Sequence, residues 1–168
     1  MHTTLTRDPV VVDRPAVPHV GVRRTVTPTT IASVADRIGD LVGLVLDAGR
    51  APAGAPFLRY EVIDAAAGMV VVAGVPVDGP VPTTGDVHTA TLPAGRYATV
   101  VHRGHPDSLV GATGDLLAWA RDRGLTFDVT PSADGDRWGC RLESYLTDPA
   151  TEPDLDRWET ELAFRLAG

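Results

Sequence analysis

Apolar positions along the chain switch between two periods. Alternation with a period of two, the mark of a half-buried strand, runs through 10–13 and 17–27, where Pro15 and Pro18 predict a kinked or edge strand. From 31 to 48 the spacing becomes helical. Ile31, Val34, Ala35, Ile38, Leu41, Val42 and Val45 fall on one face, Thr29 or Thr30 offers an N-cap, and Gly49 supplies a stop. Two strands follow over 57–64 and 69–77, joined by a turn over 65–68. After a turn-rich connector over 78–86, D-G-P-V-P-T-T-G-D, the pattern starts again. Strands over 87–92 and 96–103 flank L-P-A-G, a helix runs from Pro106 to Arg123, and Gly124 closes it as Gly49 closed the first. A loop over 127–136, a strand over 138–146, an acidic Pro-containing turn over 148–156 and a last strand over 157–166 complete the order.

The two halves overlay. Pro15-Ala16 and Pro93-Ala94 are 78 residues apart, Leu41 and Leu116 are 75 apart, as are Gly49 and Gly124, and Arg59-x-Glu61 precedes Arg141-x-Glu143 by 82. The changes of offset fall between elements, where insertions are tolerated. A tandem β-α-β-β repeat within a single domain over 1–168 accounts for this, with one unit over about 9–77 and the other over about 87–168. The fold class expected is α+β: a curved, mainly antiparallel sheet with both helices on one face. The opposite, concave face near a pseudo-twofold axis is then the expected ligand cavity. With an offset of 82, alternation assigns Phe57, Arg59 and Glu61 to that face together with Arg141, Glu143 and Tyr145. Trp138, Cys140, Leu142, Ser144 and Leu146 leave the other side of the 138–146 strand and read as core.

Charge and composition narrow the chemistry. A net charge of −7 and a pI near 5.1 argue against a nucleic-acid surface and suit neutral or cationic partners. The chain has no Lys, Asn or Gln, the imprint of a GC-rich genome, so Schiff-base and P-loop chemistry drop out. Cys140 is the only cysteine and forms no internal disulfide, which fits a reducing cytoplasm. No apolar run has the length of a membrane span, and residues 1–8 lack a signal peptide's apolar region. His102 and His105 have H-x-x-H spacing near Asp107, but at a strand end entering a turn they need not converge, and no metal or cofactor is expected. G-x-S-x-G is absent, and Gly111 and Gly114 fall inside a helix, so neither a hydrolase elbow nor a phosphate loop is supported.

Four stretches resemble one family. They are L-P-A-G-R-Y-A-T-V-V-H-R-G from Leu92 to Gly104, L-L-A-W-A-R-D-R-G from Leu116 to Gly124, E-S-Y-L-T-D-P from Glu143 to Pro149, and T-E-L from Thr160. In order and spacing they are similar to the GyrI-like small-molecule-binding domains, which also serve as effector-binding modules of multidrug-responsive transcription regulators. The resemblance covers essentially the whole chain and implies two β-α-β-β units with a pocket between them that takes bulky aromatic, often cationic, compounds. It implies Glu143 in the pocket with rings around it. Where many members have Gly-Pro-Tyr the chain reads Gly104-His105-Pro106, so a stacking tyrosine is lost and His105 is a candidate replacement. About twenty residues precede the first repeat's main strand, too few for a helix-turn-helix, so a stand-alone binder is expected rather than a regulator.

Periodicity alone leaves Glu143 open between a surface carboxylate neutralised by Arg141 and a pocket carboxylate; the resemblance selects the pocket. Tyr145 beside it is a stacking or hydrogen-bonding residue, Phe57 a stacking wall, and Arg59 and Glu61 mirror Arg141 and Glu143. Trp138 is core or rim, Trp119 reads as core, and Trp158 either covers the pocket or packs. The first functional expectation is a protein that sequesters or senses aromatic, lipophilic, cationic compounds. The alternatives are a hydrolase that opens cyclopropane-bearing alkylating toxins, with Glu143 as general base and Tyr145 as oxyanion donor, and a protective protein that acts on gyrase.

Overall fold

The computed structural model describes residues 8–64 and 68–168. In chain order the elements are β1 (Val10–Arg14), β2 (Val17–Val26), α1 (Ala32–Ala35), α2 (Ile38–Asp47), β3 (Phe57–Asp64), β4 (Gly68–Pro76), β5 (His88–Leu92), β6 (Gly95–Arg103), α3 (Leu109–Asp122), β7 (Val129–Ser132), β8 (Gly135–Trp138), β9 (Arg141–Tyr145) and β10 (Glu159–Arg165). Eight strands form one antiparallel path, β1-β6-β10-β9-β3-β4-β2-β5, curled into a half-barrel, and the β7–β8 hairpin attaches through β8 to β3. The α+β architecture expected from the periodicity is the one observed.

The path reads the same from either end when the halves are exchanged. Each half opens with a short strand that pairs not with its own unit but with the other: β1 lies on β6 and β5 lies on β2. Register carries the relation across the middle. Val22 faces Ala73 and Ala73 faces Leu58 in one half, Val100 faces Leu162 and Leu162 faces Glu143 in the other, and Leu58 meets Glu143 at the centre. Val22 and Val100 share the 78-residue spacing of Pro15 and Pro93, so the strand pairing and the sequence match agree.

Two cores lie on the helix side of this sheet. One gathers Val34, Leu41 and Val45 of the first helical segment onto Val22, Leu58, Val71 and Ala73, and the other gathers Leu109, Ala112 and Leu116 onto Ala98, Val100, Leu162 and Phe164. Each fully buried Leu or Val contributes about 1.5–3 kcal/mol, so a few anchors hold each helix down. A third, smaller cluster of Phe57, Leu92, Tyr97, Cys140, Leu142 and Ala163 fills the opposite face. Helices α1 and α2 lie over β2 and β4, and α3 lies over β6, so the central pair β3–β9 runs between them.

Three local expectations are revised. The helix over 31–48 is interrupted between α1 and α2, where Arg37 closes a tight turn onto Val34 and reaches Asp86 in the connector at 2.8 and 3.1 Å. The segment expected as a loop over 127–136 holds β7 and the start of β8, a hairpin whose four-residue strands are too short for alternation to show. The strand over 138–146 is broken at Gly139-Cys140, because the backbone there is held elsewhere: Gly139 N donates to Asp128 O at 2.8 Å and Arg59 Nη2 donates to Gly139 O at 2.8 Å. A side chain at Gly139 would collide with the Asp128 carboxylate. The break sends Trp138 to the helix side, against Phe127 and Phe164, and Leu146, one residue past the end of β9, is exposed rather than in a core.

Candidate functional site

Alternation along β9 places Arg141, Glu143 and Tyr145 on the helix-bearing face, in the strip between the two cores. Of the six residues in the central cross-sheet row, Val22, Ala73, Leu58, Leu162 and Val100 are buried and apolar, and Glu143 is the exception. A half-buried carboxylate in an apolar row costs free energy unless it finds donors. Tyr145 Oη donates to Glu143 Oε1 at 2.9 Å, and the Tyr60 hydroxyl bonds the same carboxylate. Burial raises the Glu143 pKa above its ordinary value, and the two tyrosine bonds and the Arg141 charge oppose that shift without cancelling it. Both tyrosines are held un-ionised by burial and by the neighbouring carboxylate, so each stays a donor.

Arg141, two residues before Glu143 on the same face, does not pair with it. Its guanidinium carbon sits 4.6 Å from the Trp138 ring centre and 4.6 Å from that of Phe164. Those rings are tilted 62° to one another at 5.7 Å, and Phe127 extends the aromatic group. Burial lowers the Arg141 pKa while the Glu143 charge opposes that shift, and a guanidinium remains cationic under it. The strip between the helices therefore holds a carboxylate capped by two phenols and a cation cradled by two rings.

This arrangement on a two-unit curled sheet has relatives. The profile of the GyrI-like small molecule binding domain matches residues 7–167. The chain belongs to that family. Among solved structures, the GyrI-like fold seen here is similar to the EcmrR C-terminal domain, with 21% identity, a TM-score of 0.71, and coverage of 95% of this chain and 97% of that one. It also superposes on EcmrR in its DNA complex, where it spans 57% of that chain, at a TM-score of 0.70 and 20% identity over 95% of its own length. SAV2435 bound to tetraphenylphosphonium has a TM-score of 0.60 at 13% identity, covering 96% of this GyrI-like chain and 95% of that protein. A Listeria innocua hydrolase reaches 0.62 at 13% identity over 98% and 94% of the two chains. No curated protein matches the sequence.

The register separates residues that the sequence grouped together. Arg59 pairs with Leu142 and Phe57 with Ser144, so Phe57, Arg59 and Glu61 leave the sheet on the side away from Glu143. The 82-residue offset is the reason: the register relates Leu58 to Glu143 and Tyr60 to Tyr145, an offset of 85, and an odd difference reverses the face. There Phe57 is buried against His19 and Gly74, Arg59 is bonded to Gly139, and Glu61 forms a bidentate pair with Arg23 at 2.6 and 3.1 Å. Burial works most strongly against the Glu61 charge, but the Arg23 bonds together with the Arg23 and Arg59 charges outweigh it and hold the carboxyl below its usual range. A pocket of about 750 Å³ opens on that side, lined by Arg23, Glu61, Arg137 and Asp134 among others. Its charges are already paired, Arg23 with Glu61 and Arg137 with Asp134, whereas Glu143 is held by tyrosine hydroxyls rather than by a cation.

His105 caps the turn after β6, its Nδ1 accepting from Asp107 N at 3.0 Å, and its ring is half-buried. Trp158 precedes β10 and donates its indole N–H to Glu152 O at 2.8 Å. His102 is buried and bonded to Ser108 Oγ at 2.7 Å, and no cluster of metal-ligating side chains occurs among the described residues. Tyr60 is the residue that sequence reasoning missed. Its signal was present as Leu58-x-Tyr60 beside Glu143-x-Tyr145, hidden by the more conspicuous Arg-x-Glu match. No described helix is long and apolar enough to cross a membrane.

Proposed function

We propose that the strip between the helices binds an aromatic, lipophilic cation, with Glu143 as its counter-charge, and that the protein sequesters or senses such compounds. The observation that carries this reading is the lone carboxylate in an otherwise buried apolar row, capped by two un-ionised tyrosines. A carboxylate partly withdrawn from water attracts an organic cation more strongly than an exposed one, and tyrosine faces add about 0.5–2 kcal/mol of cation–π attraction. The likeness to SAV2435, solved with tetraphenylphosphonium, supports a lipophilic cation as the occupant. Calorimetric titration with tetraphenylphosphonium and with the neutral triphenylphosphine oxide tests it. The cation should bind more tightly, and Glu143→Gln should weaken the cation selectively; equal losses for both probes would refute the electrostatic role.

A second reading makes the same carboxylate a general base. A raised pKa is what such a base needs, and Tyr60 and Tyr145 could donate to an oxygen that gains charge as a strained ring opens. Incubation with cyclopropane-bearing alkylators and mass analysis for a water adduct distinguishes it. Unchanged compound across such a series leaves binding alone.

A further inference from the structure

The charges in the strip do not satisfy each other. Glu143 takes its hydrogen bonds from Tyr60 and Tyr145, and Arg141 faces the Trp138 and Phe164 rings. Among the described residues the Arg141 guanidinium has ring contacts but no hydrogen-bond or ion-pair partner, and none of its nitrogens is both buried and unpartnered, so its N–H groups keep contact with solvent and are free to take an anionic acceptor. Two rings neutralise a guanidinium's faces but leave its in-plane donors free, and those donors match a carboxylate in fork geometry. Glu143 and Arg141 are two residues apart on one strand, which separates their starting points by about 7 Å.

We infer that the ligand is amphoteric: an aromatic compound with a cationic group for Glu143 and a carboxylate or equivalent anionic acceptor for Arg141, because the strip offers both charges unpaired. This rests on the strip being the binding site, and it narrows the class of compound from lipophilic cations to aromatic zwitterions. A ligand carrying only the positive group would leave Arg141 desolvated beneath it without a partner, which costs affinity.

Rhodamine B, a zwitterion at neutral pH, and its ethyl ester, a cation with the same rings, are the probes. Fluorescence titration of the full chain should show the acid bound about tenfold more tightly than the ester. Arg141→Gln should erase that ratio by weakening the acid and sparing the ester, and Arg141→Lys, which keeps the charge without the fork, should retain part of it. Glu143→Gln should weaken both dyes. If both dyes bind through Glu143 but the ester binds as well as the acid in the wild-type protein, the role of Arg141 is overturned and the cation site stands. If neither dye binds, or if Glu143→Gln changes neither, the binding strip itself is refuted. The wild-type ratio decides the matter even where the Arg141→Gln protein is too unstable to titrate.

Discussion

Replacing Glu143 by Gln should make the unliganded protein more stable and the cation complex weaker, and the two effects should part company with pH. The carboxylate has a raised pKa because burial penalises its charge more than Tyr145, Tyr60 and Arg141 favour it. The fold therefore prefers the neutral form. That preference contributes stability in full below the ordinary value of 4.5 and is lost as pH rises through the folded-state value, so at pH 7 the ionised group is a liability. Gln keeps an oxygen for the tyrosine donors and carries no charge, so the variant should melt higher at pH 7 and match the wild type at pH 4. For binding the sign reverses. At an effective dielectric of about 20, opposite charges 4 Å apart attract by about 4 kcal/mol. The tyrosines already take part of the carboxylate's field and the ligand must shed water, which leaves a net loss of about 1.5–3 kcal/mol, or roughly ten- to hundredfold in Kd. In the wild type, affinity for tetraphenylphosphonium should fall as acid protonates Glu143, with a midpoint above 4.5, while the variant's weaker affinity stays flat. Scanning calorimetry gives the melting temperatures and isothermal titration from pH 4 to 8 gives the binding. A Gln variant less stable at pH 7, or a wild-type profile without acid loss, would refute the argument.

Three further outcomes follow from neighbouring contacts. Tyr145→Phe removes the 2.9 Å donor to Glu143, so the acid limb of the cation-binding profile should move to higher pH while affinity for triphenylphosphine oxide is unchanged, both read by the same titrations. Gly74→Ala should destabilise by about 1–3 kcal/mol in urea unfolding, since a Cβ there would lie 2.6 Å from Cε1 of the buried Phe57 ring. His19 is almost fully buried beside that ring, and burial lowers its pKa from 6.5 to about 4 against the pull of the Val17 carbonyl. The fold thus keeps His19 neutral, and the stability this gives is present above pH 6.5 and is lost as pH falls toward 4, at a cost of about 3 kcal/mol. Urea midpoints of the wild type and His19→Gln across that range should converge as the pH drops.

The elements were legible in the sequence because each long one has a period of its own. The limits of β3 and β6, the Gly49 and Gly124 stops and the two-unit order all follow from alternation, helical spacing and turn residues. What alternation cannot supply is the phase between strands distant in the chain. Arg59-x-Glu61 and Arg141-x-Glu143 look alike as strings, yet pairing is decided by which register buries Leu58 and Leu142, and that register sets them on opposite faces. The side of the sheet that faces the helices is hidden from the sequence for a related reason. A strand with one polar and one apolar edge suggests that the polar edge faces away from the helices, but β9 has cover on both sides, Leu142 in one cluster and Tyr145 against another. Trp138 moved because Gly139 and Cys140 form contacts with Asp128 and Arg165 that no local pattern announces.

The two-unit frame also explains why a single carboxylate can be held by two phenols. Leu58 and Glu143 meet across the centre of the sheet, so the axis relating the halves passes between them, and Tyr60 and Tyr145 are each other's counterparts on either side. Groups so placed converge on whatever occupies the centre, and here the frame is symmetric while the chemistry is not. A carboxylate at both central positions would set two acids with Cβ atoms about 5 Å apart in a poorly solvated strip, where they would share one proton over much of the pH range. With Leu at 58 there is one acid and two donors, and the strip carries one negative charge that does not depend on a partner's protonation. Arg141 has no such counterpart: two residues before Leu58 stands Pro56, which offers no cation. The positive end of the strip therefore exists on one side only, and a ligand that reads both charges can bind in one orientation, not two.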